Sequence, residues 1–492
     1  MKSDVIVIGS GLGGLLCAKI LAERGQRVTV LERHSAPGGC LQSYRRHGIS
    51  FDTGLHYVGG LAEGQRLRTI FDRLGLMRLP WQHLDPRGYD LVTIGGETFP
   101  FVEGYQNFAD TLAGRFPKER TALHKYAALM ERADRLPLGD PEVQSLCAVN
   151  AHAYLHELFH DELLINVLAG NALKTEPRRE SLPLFHFLHT SFVGGGAWRL
   201  KGSGNDIVRL LTADIEALGG TIVTGTEVEE LTEADGLIVS ARCNNGETYE
   251  AATFISDVHP RQTFALVKES KKLSRLFRRR IDMLENTYGM FTVSVVTDGS
   301  IPYFNHNKYI YRQANLWEPP LCQPSATGAQ PSPAAIGIDR VLVSCPVPYA
   351  APSAQPTSPT PQVIDLLTPV PLSLFEPWSG SHIGHRGTRY LQLKEQLANA
   401  CLTLAQTALP QLRAASYYHL YTSTPLTWRD YTLTPHGSAY GLRKDSRQPL
   451  LTILSPRTPI ANLLLTGQNL MLHGLEGVTM TALQTCEAVA RH

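Results

Sequence analysis

The 8 cysteines of this 492-residue chain include no C-x-x-C pair, which leaves no thiolate zinc cradle and no dithiol redox motif. Scattered at Cys17, Cys40, Cys147, Cys243, Cys322, Cys345, Cys401 and Cys486, they also argue against a disulfide framework. A reducing compartment is expected. Excess charge is missing too: Lys+Arg 46 against Asp+Glu 45 leaves a net charge of +1, so no long-range field draws the chain to nucleic acid. Nor does any uncharged run approach the roughly 18 to 20 residues of a membrane-crossing helix, so membrane contact is expected to be peripheral. Lys2 before an apolar run, and the string GLLC, imitate a leader peptide. However, Asp4 interrupts the start and Leu16 is bulky where a small residue should precede the cysteine. The expectation is a cytoplasmic protein with an intact N-terminus. Internal repeats are absent, and 43% hydrophobic with 18% charged residues is ordinary for a globular chain of two or three domains.

What is present begins with VIVIGSGLGG at Val5. Four apolar β-formers run into Gly9, Gly11 and Gly14, and LLCAKILAERG continues at helical spacing, so the run reads as strand, tight turn, helix. In such a turn the first glycine permits the bend, the second admits a pyrophosphate, and the third lets helix and strand pack closely. The helix N-terminus then offers free N–H groups to the phosphates. A second strand, RVTVLERH, ends at Glu32, at the separation expected of an acid that bonds a ribose hydroxyl. Ser10 and Gly13 inside the turn, and Arg33 beside Glu32, join the expected nucleotide-binding set. NAD and FAD both fit this unit.

From about residue 66 to 192 the pattern turns helical, most clearly in FADTLAGRFPKERTALHKYAALMERADRL. Residues 193–287 return to helix, Gly-Gly turn and short Val/Ile/Thr strands, with NNG as a hairpin turn. Residues 288–435 mix strands with a helix near YLQLKEQLANACLTLAQTAL. They carry two Pro/Ser/Ala-rich tracts, PPLCQPSATGAQPSPAA and PYAAPSAQPTSPTPQ, expected as exposed loops. A last strand, glycine turn and helix follow from residue 436 onward.

Two motifs choose between the nucleotides. The Pro37-Gly38-Gly39 turn after the acidic strand and the C-terminal LLLTGQN…GLEGVTMTAL resemble the amine oxidase and phytoene desaturase superfamily of FAD enzymes. Within it, GISFDTGLHYVGG, WRLKGSGNDIV and YGLRKD…SPRTPIANLLLTGQN look most like the carotenoid isomerase and retinol saturase branch. The resemblance implies an α/β fold: a Rossmann-like FAD-binding domain assembled from residues 1–65, 193–287 and 436–492. A helical substrate region (66–192) and an α+β substrate region (288–435) would be inserted into it. It further implies that Gly38 and Gly39 belong to the dinucleotide motif, that Thr226, Glu227 and Val228 lie by the adenine, and that Gly467, Gln468, Gly477 and Val478 hold the flavin. Relatives often carry an acid where Gln468 stands. A helix starting near Gly477 could aim its N–H groups at the flavin N1/O2 edge.

The implied reaction is saturation of a carbon–carbon double bond in a hydrophobic polyene, with carotenoid cis-trans isomerisation and phytoene-type desaturation as alternatives on the same scaffold. Such chemistry needs one proton managed near the ring. His56 and Tyr57 after the FDTG turn, His473 and Glu476 around the C-terminal helix start, and Tyr440 are the candidates. LPLFHFLHTSFVGGGAW, from Leu182 to Trp198, reads either as the lining of a tunnel or as an ordinary buried segment. No second glycine fingerprint marks a nicotinamide domain, which leaves NAD(P)H, a partner protein or a quinol as the external electron donor. HELFH, His156 to His160, matches the zinc-protease pattern with Glu157 as base, and His152 would share its face. Without a recognisable third ligand it reads as a helix face with incidental histidines, and no metal is expected. A metal-dependent hydrolase, and a polyene carrier with a structural flavin, are the rival readings.

Overall fold

A computed structural model describes residues 3–136, 140–320, 337–347 and 363–489. The two Pro-rich tracts expected as loops fall largely at 321–336 and 348–362, outside the described residues.

Strand β1 (Val5–Ile8), helix α1 (Leu12–Glu23) and β2 (Val28–Leu31) form the first unit. With β3 (Thr221–Val223), β4 (Thr253–Ser256) and β5 (Leu463–Leu465) the strands build an all-parallel sheet in the order β3-β2-β1-β4-β5. Residue alternation divides β1 between two cores. Val5 and Val7 face α1, α2 (Gly204–Ala217) and α3 (Gly474–Ala488), whereas Ile6 and Ile8 face a three-stranded antiparallel meander at Val228–Ala234, Leu237–Cys243 and Thr248–Glu250. Burial on both faces explains why β1 reads as one continuous apolar run.

A second, seven-stranded sheet runs Tyr417–Ser423, Gly289–Thr297, Val363–Val370, Arg340–Ser344, Asn307–Tyr311, Asp90–Ile94 and Glu97–Phe101 in spatial order. Phe291, Val293 and Val295 pack beneath it against helix Gly387–Ala405. Met290, Tyr309 and Leu367 face the opposite way, toward the helical region.

Residues 66–192 are not helical throughout, and the expectation is corrected at residues 81–101. Asp90–Ile94 and Glu97–Phe101 form a hairpin about Gly95-Gly96, both at positive φ, and Trp81–His83 pairs with Ala197–Leu200. The local signal was there in YDLVTIGGETFPF, whose β-branched residues flank a Gly-Gly turn.

Candidate active site

The glycine turn is shaped by lack of side chains. Gly9 takes φ +92, and a Cβ on Gly13 would stand 2.9 Å from the Gly467 Cα and 2.6 Å from Asp257 Oδ1. Gly14 faces the Gly9 carbonyl, as a close helix–strand crossing requires. α1 starts at Leu12 behind Gly11 with no side-chain cap, so the N–H groups of Leu12 and Gly13 are left for a ligand while that of Gly14 is turned to Asp257. Glu32, almost fully buried, accepts from Ser10 N at 3.0 Å, Ser10 Oγ at 2.5 Å and His34 N at 2.8 Å. The turn therefore fixes Glu32 in the cavity wall, where an acid was expected to meet a ribose. Thr226 N donates to the Glu32 carbonyl at 2.8 Å, bringing Thr226, Glu227 and Val228 alongside, and Arg33 reaches the Tyr431 carbonyl at 2.9 Å.

One cavity collects most of the expected set. Gly9, Ser10, Gly11, Gly13, Glu32, Arg33, Gly39, Thr226, Glu227, Val228, Gly467, Gln468 and Val478 line it, and so do His56, Tyr57, Tyr440 and His473. Gly14, Gly38 and Gly477 stand behind the wall; a Cβ on Gly477 would meet the Leu472 carbonyl at 2.5 Å. Glu476 does not line the cavity. Burial and Asp134 push its carboxyl up to about 7, with Arg66 opposing, and it leaves the set of proton-handling candidates. α3 begins at Gly474 with no side chain capping its first turn, so free N–H groups project where the flavin edge is expected; the start lies three residues before Gly477.

Burial holds His56 and His473 down to about 3, with Lys174 adding to both, so the two imidazoles are neutral. Tyr57 donates to Asp90 Oδ2 at 2.9 Å and pairs with the Tyr309 hydroxyl at 2.9 Å. Tyr440 lies with its ring 4.8 Å from that of His473.

Two residues of this cavity escaped the sequence. Lys174 Nζ sits 4.8 Å over the Tyr57 ring; burial lowers it to about 8 and Asp90 opposes the shift. It belongs to no motif. Asp257 directly follows β4, and burial raises it to about 7 against a hydrogen bond from Gly14 N. Its place at the carboxyl end of a parallel strand, where ligands of such sheets bind, was the available clue.

HELFH does not form a zinc helix. The helix Ala151–Leu158 stops before His160, because Asp161 caps a new helix by accepting from Leu163 N and Leu164 N. His156 and His160 thus share no face, and His156 Nδ1 lies 2.8 Å from the His152 carbonyl. Among the described residues no group of three His, Cys, Asp or Glu is arranged to hold a metal. The run from Leu182 to Trp198 is core: Leu182, Phe185, Val193 and Ala197 are buried in the main hydrophobic cluster, and none of the run lines the nucleotide cavity.

A second cavity adjoins the first, sharing Cys40, His56, Leu367 and Trp428 among its walls. It continues along Thr292, Ser294 and Asp365 of the seven-stranded sheet, under Tyr44 and Asp52 of the hairpin Ser43–Arg46/Ile49–Asp52. Ile383 and Leu391 line it while 53% and 61% exposed, which marks its opening.

The family model for flavin containing amine oxidoreductases matches residues 12–490. The chain is 27% identical to the all-trans-retinol 13,14-reductase of Danio rerio, over 99% of its own length and 85% of that protein's. It is 25% identical to the Homo sapiens protein of the same name, over 100% and 86%. Among solved structures, an oxidoreductase from Methanosarcina mazei superposes with TM-score 0.66 at 17% identity, covering 99% of this chain and 100% of that one. Putrescine oxidase does so with TM-score 0.63 at 15% identity, covering 99% and 98%. Gly11, Gly13 and Gly467 pack so closely around Asp257 that none has room for a Cβ, and they wall the cavity with bare backbone, which fits the close approach of a dinucleotide. The chain belongs to the flavin containing amine oxidoreductase family and is an FAD-dependent oxidoreductase.

Proposed function

We propose that the chain saturates a carbon–carbon double bond of a polyene or similar isoprenoid, the activity that the name of its full-length relatives describes. The observation that carries this reading is the junction of the two cavities at His56, Leu367 and Trp428. An elongated substrate can bring one bond to the flavin end while its remainder lies along the sheet. Isomerisation has weaker support: the prolycopene isomerase of Daucus carota is 32% identical over only 25% of this chain.

FAD, when bound, supplies the hydride. The protein's share is to orient the polyene and deliver a proton. Lys174, lowered to about 8, is still protonated at neutral pH and borders the cavity, so it is the proton source. Its charge also favours the negative charge that the substrate gains with the hydride. Neutral His56 and His473 act as walls, and Tyr57 is a positioning residue held by Asp90. NAD(P)H is the external donor to be tested first, against a quinol.

Reducing the flavoprotein without oxygen, adding retinoids and carotenoids, and following both absorption bands tests the reading. Flavin reoxidation with a blue-shifted polyene band is expected. A polyene band that changes over a flavin that stays reduced means isomerisation, and no change with any polyene overturns the substrate class. Among the described residues no helix is long and apolar enough to cross a membrane. Exposed Ile383 and Leu391 at the cavity opening favour peripheral contact with a lipid surface, where such substrates dissolve. Failure to co-sediment with liposomes would exclude that contact.

A further inference from the structure

One face of the seven-stranded sheet runs from the nucleotide cavity into the second cavity. Met290 and Leu367 border the first; Thr292, Ser294 and Asp365 border the second. Met290, Thr292 and Ser294 alternate along one strand and so share a face, and the antiparallel register sets Thr292 opposite Leu367 and Ser294 opposite Asp365. From Met290 to Ser294 the strand advances roughly 13 Å, at about 3.3 Å per residue.

The far end of this track is polar. Asp365 Oδ1 accepts from Ser294 Oγ at 2.6 Å, Tyr44 lines the same cavity, and Asp52 stands near, already engaged by Ser43 Oγ at 2.9 Å and Gly204 N at 2.8 Å. Asp365 lines the cavity, and among the described residues its carboxylate makes no ion pair and receives a hydrogen bond at Oδ1 from Ser294. Burial lifts Asp365 to about 6, with Ser294 and Arg199 pulling the other way, so at pH 8 it is a carboxylate. A carboxylate in such a cavity wants a donor. Against Asp365 itself a hydrocarbon end would strip it of water and return nothing, and a ketone, ester or carboxylate would set acceptor against acceptor, although Arg46 and Lys394 on the same cavity could meet such groups elsewhere along its wall.

On the reading that the substrate is a polyene, we propose that the second cavity selects molecules with a hydroxyl at the end remote from the flavin, bound by Asp365 with its partner Ser294 and the neighbouring Tyr44. The bond to be reduced lies by Met290 and Leu367, and the distal hydroxyl donates to the Asp365 carboxylate. This role is one of specificity. It predicts discrimination between polyenes that are identical around the reacting bond and differ only at the other end.

All-trans-retinol, its 3-hydroxy derivative and its 3-oxo derivative make that comparison, because the 3-position lies on the ring far from the alcohol-bearing end. Their binding to the FAD-loaded enzyme at pH 8 is read from quenching of protein fluorescence. The 3-hydroxy compound is expected to bind about tenfold more tightly than the other two, as one charge-assisted hydrogen bond warrants. Asp365→Asn, whose amide can donate, is expected to raise affinity for the 3-oxo compound and shrink the 3-hydroxy preference to below about threefold. Ser294→Ala is expected to weaken the preference in part, and serves alone should the Asp365 variant not fold. Equal binding of retinol and its 3-hydroxy derivative by the unmodified enzyme, or a preference untouched by both substitutions, overturns the proposal and leaves the polyene activity standing. Absence of binding or turnover with all three compounds overturns the polyene reading, and this proposal with it.

Discussion

The two cavities share a wall and are built by opposite means. Around the nucleotide, function rests on backbone: Gly9, Gly11, Gly13 and Gly467 clear space, and helix N-termini present N–H groups. Along the seven-stranded sheet it rests on side chains: Thr292, Ser294, Asp365 and Tyr44 set the chemistry on a frame that many sequences could form. A backbone site is intolerant of added atoms and indifferent to most side chains. A side-chain site is the reverse, which lets one cofactor framework serve different substrates.

The sharpest break in that comparison is Gly13→Val. A branched side chain cannot fit between Asp257 and the Gly467 backbone, so the protein should be purified with less than about a tenth of its flavin, read from visible absorbance. Thr292→Val on the sheet should keep full flavin content. Next in size is Lys174→Met, which should slow flavin reoxidation by polyene about 10²- to 10³-fold while flavin stays bound. Single-turnover kinetics reads both.

The same lysine sets two pH effects. Its protonated form is lost as pH rises through about 8, so kcat/KM should fall there, and the Lys174→Met residual rate should lack that limb. Between about 8 and its ordinary value of 10.5, the unfolded chain holds more protons at this site than the folded one. That contribution makes stability rise with pH across the window, and thermal melts of the Lys174→Met protein should lack it. The smallest effect expected is that of Tyr57→Phe. Asp90 loses one donor but keeps Asn307 at 2.8 Å, so a loss of about 1 to 3 kcal/mol in denaturant titration is expected, with a modest drop in rate.

Legibility in the sequence follows the same division. The glycine turn, the strand that ends at Glu32 and the C-terminal strand-turn-helix were readable because backbone demands leave a fixed spacing of glycines and an acid. The sheet cavity left no such trace. Asp365 and Tyr44 are 321 positions apart and meet only through strand register and a hairpin. Lys174 owes its character to burial beside Asp90 and Tyr57, which no local pattern announces. HELFH failed for a local reason that was legible: Asp161 is a strong helix N-cap, and it ends the preceding helix before the second histidine can join the first.

β1 lies at the centre of its sheet, yet its neighbour but one, β5, comes from Leu463–Leu465, and α1 packs on α3 from Gly474–Ala488. During synthesis the first glycine turn therefore emerges long before the segment that completes its cradle. A growing chain must carry β1 and α1 with part of their apolar surface uncovered through more than four hundred residues. The cavity walled by Gly11 and Gly467 exists only once β5 and α3 have docked, so a ligand filling it would tie these two distant segments together.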